Sequence, residues 1–481
     1  MLFGWMLLFF LPLIIGEIHF FIEKNTLRKS YVVWIFLLIV SNFYIAYMVA
    51  LFSVLFFFAE GYRRHLRIAE FSRMLLKLTV CALLALLMTA VLIFPTLFYL
   101  NEGIRNTVQT TESNFSFTKF LAKLFNGVYF NRSFVNTTKS VYPHVYSGIL
   151  SLVVVPTFFL SKQITRRERF IYGMIFLFIV ISFFIPEVGN IWHAFVYPTG
   201  FPYRFAFLFS FLSIYLTARA LDLGLWETKK ILISCIFWSV ILGYLLVVQE
   251  INFALWFWNQ LLLVLLAVIT LFIEGVKWYS LVWIMLVVVI FGEVTMHQII
   301  TLKKVDRATP FTLYDKTINQ ALTEFDVYQE YWEPLKKVTS TYASFDTDNL
   351  YYDFPSVSGF SSMTNKKYLL MLTKLGYSTS NVRAKRNGGT AITDILLSNQ
   401  YQVIPKERSQ ETLKNYQQVM TQTHSSLYQT KYENPIGLLF DDQQISTEVP
   451  NDLQQRIIAS LGGILLNIYV IKKFSIKRLT V

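Results

Sequence analysis

The chain has 481 residues, 54% of them hydrophobic, and a formal charge of +13 with a pI near 9.4. Its mean hydropathy of +0.48 lies above the soluble range. Residues 1–300 hold 22 Lys and Arg against 13 Asp and Glu, and most of that excess sits in short loops between apolar runs, which excludes nucleic acid as the reason for the charge and reads as the basic-loop signature of a membrane protein.

Apolar runs of bilayer-spanning length fill the first 300 residues, for example 74–100, 230–248, 255–273 and 281–300. Basic loops separate them: 23–30 with Lys24, Arg28 and Lys29; 60–77 with Arg63, Arg64, Arg67, Arg73 and Lys77; 161–169 with four cations; 218–230 with three; and Lys277. Cytoplasmic placement of these loops puts 101–146, 186–204, 249–254 and the whole of 301–481 outside.

Residues 31–59 are too long for one crossing, roughly 43 Å as a helix against a hydrocarbon core of about 30 Å. Basic loops flank the segment on both sides. A helical hairpin breaking at Ser41-Asn42-Phe43-Tyr44 satisfies both ends, and a long tilted helix is the alternative. Irregular backbone at membrane depth must line protein or a cavity, so Asn42 and Tyr44 are candidate site residues.

Cys81 and Cys235 both fall in spans, so a disulfide-stapled secretory fold is not expected and a bacterial surface is favoured. Three glycosylation sequons, at Asn114, Asn131 and Asn136, then count as coincidence. Met1 opens directly into an apolar run without a basic n-region, so the sequence reads as though it begins within a longer protein.

The loop 186–204 is the most specific stretch, with Trp192, His193, Tyr197, Phe201 and Tyr203 among prolines and glycines and Arg204 at the mouth of the next span. A guanidinium there suits a phosphate or carboxylate bidentately, and the rings offer flat faces to a sugar or lipid chain. The plainer alternative is an aromatic belt with a snorkelling arginine. Loop 101–146 contains an amphipathic helix over 113–125, with Phe117, Phe120, Leu121 and Leu124 on one face and Lys119 and Lys123 on the other. It ends in a second polar-aromatic cluster that includes His144 and Tyr146. The outer acids Glu102, Glu112, Glu187 and Glu250 lack metal-ligand spacing, so no metal or other cofactor is expected. Glu17 and His19 read as a capping or packing pair. Charges keep to the loops and no internal repeat is evident, which favours an enzyme over a transporter.

The tail, 301–481, reads as α+β. Thr364 or Asn365 caps a helix through Leu375 that ends at Gly376; 390–398 suggests a further helix; 349–354 and 400–404 look like strands; 387–390 is a turn; and 461–471 is too short to span.

Trp192-His193-Ala194-Phe195 followed by Tyr197-Pro198-Thr199-Gly200-Phe201-Pro202-Tyr203-Arg204-Phe205 resembles the signature loop of the bacterial YfhO-type membrane proteins. Ser41-Asn42-Phe43-Tyr44 with Tyr47-Met48 is similar to another of their motifs. So are Ser361-Ser362 with Thr364-Asn365, Leu375-Gly376-Tyr377, and Gly389-Thr390 with Thr393-Asp394. The resemblance implies an α-helical polytopic, GT-C-like membrane architecture with a C-terminal extracytoplasmic α+β domain. It also implies transfer of a sugar from a polyprenyl-phosphate donor to a cell-wall polymer such as teichoic acid. In such a protein Arg204, Tyr203, His193, Asn42, Tyr44, His144 and Tyr146 would bind substrate, with membrane lipid as the other partner. The family's acid in the first outer loop has no counterpart here, so no catalytic base is named. A carrier of lipid-linked sugar and a non-catalytic scaffold are the alternatives.

Overall fold

The computed structural model describes residues 9–102, 115–126, 142–196, 198, 202–275 and 279–308, and in the tail 324, 328, 336–340, 349, 354–360, 364–380, 383–385, 390–406 and 415–432. The chain forms two compact units, one of residues 1–93 with 108–308 and one of residues 94–107 with 309–481.

The first unit is helical. Its opening helices are α1 (Phe10–Lys24), α2 (Ser30–Ser41), α3 (Phe43–Arg63) and α4 (Ile68–Met88), followed by α5 (Ala90–Glu102), whose C-terminal part belongs to the second unit. After the amphipathic α6 (Phe117–Leu124) come α7 (Ile149–Leu160), α8 (Arg166–Phe184) and the short α9 (Pro186–Gly189) with a 3-10 turn at Asn190–His193. The last four are α10 (Ala206–Asp222), α11 (Thr228–Val247), α12 (Phe253–Gly275) and α13 (Tyr279–Ala308).

Among the described residues, five helices are long and apolar enough to cross a membrane: α3, α4, α11, α12 over Phe253–Phe272 and α13 over Trp283–Leu302. A sixth crossing is available if α8 and the segment Pro186–His193, bent by 116°, act as one broken span. Leu216, Leu245 and Leu266 are among the buried side chains in the core shared by the helices of this unit.

The segment 31–59 is a hairpin, not one tilted helix. Ser30 at the start of α2 bonds Glu17 of α1 at 2.6 Å. Glu60 and Arg64 at the end of α3 reach His19, two residues further along α1, at 3.5 and 3.4 Å. Both ends therefore meet the same turn of α1, and the chain reverses at Asn42. Glu17 and His19 accordingly pack against neighbouring helices.

The basic loops converge at one end of this unit. Arg167 bonds His65, and Arg219 pairs with Glu168 at 3.2 Å. Glu60, fully buried, collects Arg63 at 2.6 Å, Arg64 at 3.5 Å, and the hydroxyls of Tyr172 and Tyr215.

Helix α7 is short, 12 residues or about 18 Å, so starting from the basic end it stops part-way through a core of about 30 Å. Its neighbours agree. Trp238, ten residues into the 20-residue α11, donates its indole N–H to the Leu152 carbonyl at 2.8 Å. That carbonyl needs a partner because Pro156, four residues on, has no N–H. Ser234 adds a bond to the Val153 carbonyl at 2.9 Å. A non-helical segment, 142–148, thus enters the protein interior ahead of α7.

The second unit carries two small sheets. In the first, β1 (Lys337–Ser340) pairs parallel with β5 (Asn399–Pro405), and β7 (Ser425–Thr430) pairs antiparallel with β5 and β6 (Tyr416–Thr421). In the second, β4 (Arg383–Lys385) lies antiparallel between β2 (Gly359–Phe360) and β3 (Ser378–Ser380). Asn365 caps α14 (Lys366–Lys374), Leu369 and Leu372 are buried, and Gly376 takes the positive φ of 90° that ends the helix. Thr390 and Thr393 form a reciprocal cap on α15 (Ala391–Leu396). Asp394 is buried, accepting from Asn399 at 2.7 Å and Tyr416 at 2.5 Å. The Thr390, Thr393 and Asp394 motif therefore builds the fold. The strand expected at 349–354, the turn at 387–390 and the apolar run at 461–471 lie wholly or mostly outside the described residues, as do the asparagines of the three sequons.

Candidate functional site

The hairpin turn between α2 and α3 forms one side of the site. Asn42 is extended (φ −166°, ψ 99°), and its Oδ1 accepts from the backbone N–H groups of Tyr44 and Ile45, both at 3.0 Å. This cap fixes the first turn of α3 and with it the direction of two tyrosines. The Tyr44 hydroxyl donates to His193 Nδ1, and the Tyr47 hydroxyl donates to the Ile191 carbonyl at 3.0 Å.

The bend after α8 forms the other side. Its sharpness has local causes. Ile185 is extended and Pro186 starts the new helix, while Ala194 and Phe195, both in left-handed backbone with φ 54° and 60°, end the segment that follows. Trp192 locks the bend from within: fully buried, it donates to Ser182 Oγ at 3.0 Å and stacks on Phe205 at 5.7 Å. His193, also buried, donates from Nε2 to the Pro202 carbonyl at 2.8 Å, so its Nδ1 is the acceptor for Tyr44. Both ring nitrogens are used as they are in the neutral tautomer. His193 is thus a brace between the loop and the hairpin.

Arg204, two residues before α10, is exposed, and its guanidinium carbon lies 5.1 Å from the centroid of the Tyr44 ring. Such a contact is worth about 0.5–1 kcal/mol at an exposed position. A guanidinium held by an aromatic ring keeps a planar fork of N–H donors, the geometry that takes a phosphate or carboxylate with two bonds. The structure therefore brings Asn42, Tyr44, His193 and Arg204 together from parts of the chain about 150 residues apart in sequence. Tyr203 turns toward an aromatic wall, packing on Phe115 at 5.5 Å and Phe183 at 6.1 Å. Tyr197 and Phe201 lie outside the described residues.

His144 and Tyr146 lie on the 142–148 segment. Burial first, then the nearby Lys123 ammonium, push the His144 imidazole down to about 4. Lys119 and Lys123 of α6 both lie over the Tyr142 ring, at 5.4 and 5.3 Å. They border a cleft of about 130 Å³ that Asn126 and Glu250 also line. Tyr146 donates to the carboxylate of Glu293 on α13, and its carbonyl accepts from Ser210 of α10 at 3.1 Å.

Glu293 corrects the expectation that charges keep to the loops. It is the eleventh residue of the span Trp283–Leu302 and only 2% exposed. His297, four residues on and 5% exposed, shares its face. Neither was singled out from sequence, although an acid and a histidine at this spacing inside an apolar run were a usable signal. Among the described residues, no group of three or more His, Cys, Asp or Glu is placed to hold a metal ion.

These features define a multi-pass helical membrane protein with a polar-aromatic site built from a hairpin turn and a bent span. The chain belongs to the family described as bacterial membrane protein YfhO, whose model matches residues 3–468. Comparison with curated proteins and with solved structures returned no match.

Proposed function

We propose that the protein is a GT-C-like membrane glycosyltransferase that moves a sugar from a polyprenyl-phosphate donor to an extracellular cell-wall polymer such as teichoic acid. In this reading the basic loops face the cytoplasm, and the hairpin turn, loops 101–146 and 186–204, and residues 301–481 face outward. The observation that carries it is the Arg204 guanidinium over Tyr44, beside a buried neutral His193 that braces the ring from the opposite loop. Arg204 meets the donor phosphate, whose charge grows as the bond to the anomeric carbon breaks, and a pre-placed cation stabilises that change. Tyr203 and its aromatic neighbours give apolar faces to the sugar or the lipid chain.

Replacing Arg204 with Ala tests this. Sugar on the wall polymer of cells relying on the variant is expected to fall at least about 100-fold, with the protein present at normal level. Unchanged glycosylation overturns the assignment. The mid-span Glu293 favours a second reading, a carrier of lipid-linked sugar. The same cells separate the two. A defective transferase leaves lipid-linked sugar accumulating at the outer face, open to an externally added glycosidase, whereas a defective carrier leaves it protected inside.

A further inference from the structure

Helix α13 presents Glu293 and His297 one turn apart at the middle of a span, and an ionisable pair at that depth marks a functional site by default. Part of the arrangement is a helix cap. Glu293 Oε1 accepts from the Tyr146 hydroxyl and from the Ile149 N–H at 2.8 Å, so it closes the N-terminus of α7 in the protein interior. The cap does not account for His297. Both of its ring nitrogens are buried without a hydrogen-bond partner among the described residues, while the Tyr146 ring stands edge-on to it at 4.7 Å. A buried imidazole with both nitrogens unbonded is a place where a ligand hydroxyl or a water can bond.

We infer that Tyr146, Glu293 and His297 form the acceptor-hydroxyl site of the proposed transferase, with Glu293 as its general base; the inference rests on the transferase reading. One ligand class fits the donor and acceptor set. A carboxylate accepts, a neutral imidazole offers one donor and one acceptor, and a sugar or polyol hydroxyl can bond both. The Tyr146 phenol already marks the position, since it is a hydroxyl donating to this carboxylate. Rotation of that ring lets an acceptor hydroxyl take its place within reach of His297. In the transfer step the acceptor oxygen bonds the anomeric carbon while its proton passes to Glu293. The bond from that carbon to the phosphate oxygen breaks, and its electron pair leaves with the lipid phosphate. Glu293 then releases the proton to water. Ser210, six residues after Arg204 or about 9 Å along a helix, bonds the Tyr146 carbonyl and so fixes the Tyr146 segment to α10.

The test is Glu293→Gln in the full chain. The glutamine carbonyl still accepts from Tyr146 and Ile149, so the α7 junction is kept while the proton acceptor is lost. Wall-polymer sugar is expected to fall at least about 100-fold, with protein level and protease resistance unchanged, and Glu293→Asp is expected to restore part of it. Retention within twofold by Glu293→Gln, alongside loss in Arg204→Ala, overturns the base and leaves the transferase reading standing. Full activity in both variants sinks the transferase reading and this inference with it. Should Glu293→Gln fail to accumulate, His297→Phe removes both nitrogens at similar volume. A fall of about tenfold supports a hydroxyl held by the imidazole, and unchanged transfer overturns it.

Discussion

At the basic end of the helical unit, Glu60 is fully buried and answered several times over by Arg63, Arg64, His19, Tyr172 and Tyr215. At the other end, Arg204 is exposed on an aromatic ring, and deeper on that side His297 is buried with neither nitrogen bonded among the described residues. The same residue types thus serve two ends differently. Where charge holds helices together, the buried carboxylate is matched by cations and phenols from within the chain. Where the site is built, neutral groups such as His193 and Asn42 do the bracing, and the His297 imidazole has no hydrogen-bond partner among the described residues. The contrast sets a buried charge cluster that joins helices against an exposed cation held on a braced aromatic ring.

The comparison breaks first at Glu60. Glu60→Ala leaves Arg63 and Arg64 at 13% and 26% side-chain exposure without their carboxylate, and removal of one partner from a buried ion pair costs about 3–5 kcal/mol. The expected result is loss of most of the protein from membranes, or a much lower unfolding temperature in detergent. Arg204→Ala is the counterpart. It removes an exposed side chain, so the unfolding temperature is expected to stay near that of the parent, a change within about 0.5 kcal/mol, while sugar transfer collapses. If the two variants swap these phenotypes, the division between the ends is wrong.

Asn42→Ala sharpens the comparison at smaller scale. It removes the oxygen that caps Tyr44 and Ile45, at a cost of about 1 kcal/mol. Because that cap also aims Tyr44 at His193, a transfer defect larger than the stability loss is expected, and Asn42→Asp or Asn42→Ser recovers most of both. A stability loss with transfer intact separates the cap from the site.

Legibility from sequence followed the range of the physics. The hairpin at Asn42 was readable because a 29-residue apolar run between two basic loops has the wrong length for one crossing. The 186–204 loop stood out by its density of aromatic and turn residues, and the Asn365 cap and Gly376 stop are local codes. The half-length of α7 was hidden because Pro156 sits in an apolar run, and the group that satisfies its freed carbonyl, Trp238, lies 86 residues away. Glu293 was missed for a similar reason, since its phenol partner is 147 residues distant. Thr390, Thr393 and Asp394 entered as part of a resemblance, yet they turn out to cap a helix and anchor a strand. A motif gives no hint of which of those two purposes it serves until its partners are known.

The smallest expected effect tests the segment that joins both sites. His144 is held down to about 4, mainly by burial and then by Lys123, whereas an unfolded histidine titrates near 6.5. Between these values the unfolded chain binds the extra proton and the folded one does not, so stability rises with pH across that window. The contribution is complete above about 6.5 and is lost as pH falls toward 4. Protease protection of the purified protein at Lys119 and Lys123 is expected to weaken between pH 6.5 and 4.5, and the drop should shrink in His144→Gln, which keeps a polar side chain but has no proton to gain. An identical decline in the two proteins would move the acid sensitivity elsewhere, and the 142–148 segment would then owe its order to the ties of Tyr146 to Glu293 and Ser210.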